Sequence, residues 1–123
     1  MSGATLSTKA AIDPLIHKEY LEELAHAYLP AGVDQKDPRV SPLYADLRGL
    51  PPILIQVGSA ETLLDDSVRL CGALGSADVV VTLEVWPAMI HAFPLFNQQL
   101  AAGRRAIVRA GKFIWEMEAG TVA

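Results

Sequence analysis

Two apolar runs set what this chain can fold into. Ile53-Leu54-Ile55-Gln56-Val57 ends at Gly58, and Val79 to Trp86 is β-branched and alternating. Both read as strands. The stretch between them, from about Thr62 to Leu74, carries Leu63, Leu70 and Leu74 at helical spacing. Strand, helix, strand is the rhythm of an α/β fold with a parallel sheet. The first run is apolar enough for a strand buried on both faces, and such a strand needs neighbours at both edges. Two strands do not make a sheet that stands alone. The expectation is therefore that further strands lie upstream or come from another chain.

The flanking segments complete this outline. Asp13-Pro14 reads as a helix start, an N-cap acid with proline at the first helical position. The helix places Ile16, Tyr20, Leu24 and Tyr28 on one face, joined by Leu15, Leu21 and Ala25, and ends before Pro30. From there to Pro52, prolines and glycines enforce an irregular connector, longer than most loops. After the second strand come a short turn near Phe93 to Leu100 and a final helix from about Gly103 to Glu118. That helix sets Ile107, Ala110 and Ile114 against Arg105, Arg109 and Lys112.

Composition removes several classes of function. The net charge of −4 and the absence of a basic run argue against nucleic acid. No run is long enough to span a membrane, and Met1 to Ile12 lacks the apolar core of a secretory signal. The single cysteine, Cys71, excludes an internal disulfide and points to a reducing, cytoplasmic setting. Zinc-ligand spacing and a glycine-rich phosphate loop are both lacking, so no metal or cofactor is expected.

Two places carry candidate chemistry. Glu61 follows the first strand in Gly58-Ser59-Ala60-Glu61, and His91 follows the second, flanked by Met89, Ile90 and Phe93. In parallel sheets functional groups gather beyond the carboxyl ends of strands, so adjacent strands would bring these two loops together. An acid on one imidazole nitrogen fixes the tautomer and leaves the other nitrogen as a general base. Read alone, Glu61 serves equally well as a charge at a helix start, and His91 as a structural histidine. Asp65 and Asp66 read as dipole or loop-anchoring acids, and His17 and His26 as solvated or capping residues. Met89, Ile90 and Phe93 fit either core or pocket wall.

The motifs around these residues resemble the bacterial hormone-sensitive-lipase family of esterases, of the α/β-hydrolase superfamily. The resemblance runs through Asp37-Pro38-Arg39-Val40-Ser41-Pro42-Leu43, Leu50 to Gly58, Glu61-Thr62-Leu63-Leu64-Asp65-Asp66, Leu83 to Pro87 and His91-Ala92-Phe93. It implies a C-terminal fragment of the fold: the last two parallel strands, their flanking helices and a lid-derived helix. Residues 1–30 would be the lid-derived segment, 31–52 a connector, and 53–123 the strand-helix-strand-helix unit. By the same resemblance Glu61 and His91, thirty positions apart, are the acid and imidazole of a catalytic triad acting on a small acyl ester. Ile16 and Tyr20 would face the acyl pocket or pack within the lid.

The sequence departs from the family in a few places. Ala88 and Ala92 stand where Gly and Val are usual, and Asp78 where Gly is. More consequentially, no Gly-x-Ser-x-Gly nucleophile motif occurs, nor the glycine-rich oxyanion motif. Ser2, Ser7, Ser41, Ser59, Ser67 and Ser76 lack that context. The resemblance also implies a homo-oligomer joined through Val79 to Trp86 and the C-terminal helix. A role of another class, a non-catalytic module self-assembling through those same elements, remains open on the sequence.

Overall fold

A computed structural model describes residues 2–120. In chain order the elements are α1 (Thr5–Thr8), α2 (Lys18–Tyr28), a 3₁₀ turn (Pro42–Tyr44), β1 (Ile53–Gly58), α3 (Leu64–Ser76), β2 (Val81–Trp86), a second 3₁₀ turn (Phe93–Phe96) and α4 (Ala101–Glu118). The two strands pair in parallel, from Ile53 opposite Val81 to Gly58 opposite Trp86. Alternate residues of a strand point to opposite faces, so the sheet has two coats. On one face Ile53, Ile55 and Val81 pack with Leu70 and Ala73 of α3 around Leu47, Leu74 and Val79. On the other, Gln56 donates to the Ala106 carbonyl of α4, and Glu84 pairs with Arg109. The Arg109 guanidinium holds the Glu84 carboxyl below the usual carboxylate range despite its burial, with help from Gln56.

The return from α3 to β2 has a clear local cause. Asp78 has φ 58°, the Val79 N–H reaches the Leu74 carbonyl at 3.0 Å, and the Asp78 N–H reaches that of Gly75 at 3.2 Å. These are the two bonds of a Schellman stop, which needs a left-handed residue. An aspartate there tolerates that conformation better than most. Because Val79 is consumed in this stop, β2 begins at Val81 rather than Val79.

Other expectations need correction. Asp13-Pro14 does not start a helix: Asp13 Oδ1 accepts the N–H groups of Leu15 and Ile16 while Oδ2 is held by Thr62, and α2 begins only at Lys18. Of the apolar face expected for α2, Leu21 and Ala25 turn inward with Leu29, whereas Tyr20, Leu24 and Tyr28 are exposed. In α4 the buried residues are Gly103 and Ala106, while Ile107, Ile114 and Trp115 stand in solvent. Gly103 is buried because α4 crosses the second 3₁₀ turn so closely that a Cβ would lie 3.1 Å from the Phe93 carbonyl oxygen. The turn expected over Phe93 to Leu100 is regular only through Phe96. The connector is tied by its own acids: Asp37 and Asp46 each bind the backbone and guanidinium of the arginine two residues on, which holds both carboxyls at about 2.

Candidate active site

Parallel pairing puts the loops after β1 and β2 side by side, and backbone bonds lock them together. The Ser59 N–H donates to the Trp86 carbonyl at 2.9 Å and the Ala60 N–H to that of Met89 at 3.0 Å. The Ala88 N–H donates to the Ser59 hydroxyl at 2.8 Å. This close seam has a steric requirement at Gly58, where an added Cβ would sit 2.0 Å from the Met89 carbonyl oxygen. The sequence marks Gly58 only as a strand end. Ala88 and Ala92, on either side of His91, both have positive φ, 57° and 54°. The backbone therefore turns sharply before and after the imidazole.

That arrangement delivers the two candidate residues to each other. Glu61 Oε1 lies 3.1 Å from His91 Nδ1, and Oε2 accepts the Gly58 N–H at 2.8 Å. Glu61 is 4% exposed, and the His91 side chain is 37% exposed. The acid is thus fixed at both oxygens, and the imidazole keeps one edge toward solvent. With the Glu61 carboxylate accepting, Nδ1 carries the hydrogen, and in the neutral ring Nε2 keeps its lone pair. Phe93, two residues after His91, is buried and packs on Trp86 with ring centroids 5.4 Å apart. A cavity of about 320 Å³ opens beside the pair, bordered by Val57, Leu63, Ser67, Phe93 and Pro94. A larger one, about 860 Å³, lies between α2, the connector and α3 and touches neither Glu61 nor His91.

The remaining sequence candidates lie at the margin of this pair or away from it. Met89 and Ile90 are half-buried in the His91 loop, Ile16 is half-buried at the entry to α2, and Tyr20 is exposed on that helix. His17 and His26 are exposed. Asp65 accepts the Ala4 N–H at 3.0 Å and so ties the chain start to α3, whereas Asp66 lies 3.7 Å from Arg69 within that helix. Burial pushes the Asp66 carboxyl up, with Arg69 opposing. Among the described residues no group of three His, Cys, Asp or Glu side chains stands close enough to hold a metal ion, and no helix is long and apolar enough to cross a membrane.

One pair next to the site was not anticipated. Asp13, 2% exposed, accepts the Thr62 N–H at 2.8 Å and lies 3.1 Å from the Thr62 hydroxyl. Burial raises its carboxyl, but hydrogen bonds from Thr62, Leu15 and Ile16 outweigh that and leave it below the usual range. The Asp-Pro step was visible in the sequence; its partner forty-nine positions away was not.

Comparison with known proteins identifies the fold family. A family described as alpha/beta hydrolase fold matches residues 2–95. An acetyl-hydrolase of Streptomyces hygroscopicus is 45% identical over 112 residues, 91% of this chain and 37% of that protein. An esterase of Acinetobacter venetianus is 39% identical over 86% of this chain and 35% of its own length. A crystallised esterase of the bacterial hormone-sensitive lipase family superposes with a TM-score of 0.88 at 45% identity, covering 91% of this chain and 37% of that one. The chain thus spans well under half the length of these relatives. It belongs to the alpha/beta hydrolase fold family, and what it matches is the C-terminal part of bacterial hormone-sensitive-lipase esterases.

Proposed function

We propose that this chain supplies the acid and the imidazole of a carboxylic-ester hydrolase whose nucleophile lies outside it. Glu61 orients His91 through Nδ1. His91 Nε2 takes the proton of an attacking serine hydroxyl as the acyl-enzyme bond forms, then passes it to the departing alcohol. In the second half a water attacks the acyl carbon, His91 Nε2 takes its proton and returns it to the serine oxygen as that bond breaks, and the acid product leaves. The observation that carries this reading is the 3.1 Å contact between Glu61 and His91 across two strand-end loops. A small acyl ester is the substrate class, in keeping with the acetyl-hydrolase and esterase relatives. The chain alone is nearly inactive, because it lacks both the nucleophile and the donors that stabilise charge in the transition state.

In the same reading residues 1–30 are the lid-derived segment, residues 31–52 the connector and residues 53–123 the scaffold of the pair. Ile16, Tyr20, Met89, Ile90 and Phe93 border the acyl pocket once the upstream part is in place. Two copies associate through β2 and α4, a contact supported by the exposure of Ile107, Ile114 and Trp115. The lone Cys71 suits a cytoplasmic location. A purely non-catalytic association module draws no support from the relatives, which are esterases and acetyl-hydrolases.

A chimera tests the assignment: this chain replaces the corresponding C-terminal part of the Streptomyces acetyl-hydrolase, and hydrolysis of p-nitrophenyl acetate is followed. The chimera should turn over, and His91→Ala should lower kcat by at least about 10³-fold, with Glu61→Gln intermediate. A folded, active chimera indifferent to His91→Ala would overturn the roles of both residues.

A further inference from the structure

The residue after Glu61 is held more completely than any local rule requires. Thr62 is fully buried. Its N–H donates to Asp13 Oδ2 at 2.8 Å, and its hydroxyl lies 3.1 Å from both that oxygen and the Ile16 carbonyl, giving its one hydrogen to either. Its own carbonyl accepts the Thr5 hydroxyl at 2.7 Å. The other Asp13 oxygen accepts the N–H groups of Leu15 and Ile16 at 2.9 and 3.0 Å. A carboxylate this deeply buried is costly, and it is stabilised by a full set of donors. If stability alone were served, a neutral or apolar pair of similar size would do as well. What a saturated acid provides instead is a fixed direction for every group that donates to it.

The peptide joining Glu61 to Thr62 carries that direction into the site. The Thr62 N–H is half of that peptide, so its bond to Asp13 holds the plane, while the Thr5 bond to the Thr62 carbonyl holds the next peptide; between them they fix the backbone from which the Glu61 side chain leaves. We propose that Asp13 and Thr62 are positioning residues for the Glu61 carboxylate. They act through the backbone to hold its bond to His91 Nδ1 and so select the imidazole tautomer. The proposal rests on reading Glu61 and His91 as the acid and imidazole of a triad. Through Asp13 the segment leading into α2 is joined to the acid, so the placement of that segment is felt at the imidazole.

The test needs no substrate and no nucleophile. ¹⁵N-resolved imidazole spectra of the full chain report which ring nitrogen of neutral His91 carries the hydrogen. The parent should show the Nδ1–H form, and Glu61→Gln should return His91 toward the Nε2–H form that an unconstrained imidazole favours. Asp13→Asn and Thr62→Val should raise the Nε2–H fraction by about fivefold, the population change expected for the net strength of one hydrogen bond. Thr62→Ser, which keeps the hydroxyl, should retain the parent spectrum. Circular dichroism identifies variants that fold; should Asp13→Asn not fold, Thr62→Val against Thr62→Ser decides. Folded Thr62→Val with the parent tautomer overturns the proposal, and so does Glu61→Gln without effect on His91. An inactive chimera with the tautomer shifts intact would sink the esterase reading and leave this coupling standing.

Discussion

Replacing Gly58 by alanine should separate the two loops that form the site. The φ of Gly58 lies outside the left-handed region, so the requirement is for space alone. The new Cβ would lie 2.0 Å from the Met89 carbonyl oxygen, 2.6 Å from its carbon and 3.0 Å from Glu61 Oε2. Two of these atoms are backbone and cannot swing aside, so the loops must part by about 1 Å or more to reach ordinary contact. That motion breaks the Ala60–Met89 bond and draws the Gly58 N–H away from Glu61. Overpacking costs about 1–3 kcal/mol, and the two hydrogen bonds about 1 kcal/mol each, for a loss of about 3–5 kcal/mol. With a urea dependence of about 1.5 kcal/mol per molar, the midpoint should fall by about 2–3 M or the folded baseline vanish. Gly72→Ala is the matched control. Gly72 is exposed in α3 with nothing within 4 Å of its added Cβ, so helix propensity alone should raise stability by about 1 kcal/mol. Equal midpoints for Gly58→Ala and the parent would refute the steric argument.

Further outcomes follow from other residues. At Ala88, φ 57°, glycine should stabilise by about 0.5–1 kcal/mol, seen as a rise of about 2–4 °C in Tm; valine there should lower Tm, and an unchanged Tm for both would dismiss the strain. Because the folded pKa of Asp13 lies below its unfolded value, the unfolded chain binds more protons between the two. Stability is therefore present above about pH 4 and is lost as pH falls through the folded pKa. Asp13→Asn should flatten that limb in urea titrations from pH 6 to 3, while the Asp37–Arg39 and Asp46–Arg48 pairs act alike in both proteins; parallel limbs would contradict this. Trp115, 71% exposed on α4, should matter for association: Trp115→Glu should shift sedimentation toward monomer, and a parent already monomeric at micromolar concentration would remove the contact.

The parts of the fold legible in the sequence are those that one segment settles by itself. β1, β2 and α3 follow from runs whose period admits one reading, and Glu61 and His91 stand immediately beyond the strand ends. The bulky residues expected on the inner faces of α2 and α4 lie outside for a common reason. Each helix has two apolar stripes, and local pattern favours the one with larger side chains. In α2 the bulky stripe Tyr20, Leu24 and Tyr28 is outside and Leu21, Ala25 and Leu29 are inside. In α4 the small residues Gly103 and Ala106 are inside because the helix lies hard against the second 3₁₀ turn. Close approach selects small side chains, and hydrophobicity counts do not register it.

The same distinction separates the pair from its support. Whether Glu61 meets His91 depends on the register that sets Gly58 opposite Trp86, on the space left at Gly58 and on the turns at Ala88 and Ala92. All of these lie within residues 53–93, so the strands and their end loops assemble the pair. The Asp13–Thr62 contact reaches outside that unit. It joins residues forty-nine positions apart through a buried acid whose sequence context, Asp-Pro, reads as an ordinary helix start. One Asp13 oxygen serves the local Leu15 and Ile16 N–H groups, but the bond of the other to Thr62 is a tertiary event, and no periodicity or local motif encodes it. The acid and the imidazole therefore come as a preformed pair. What the lead into α2 adds is control over how firmly that pair is held.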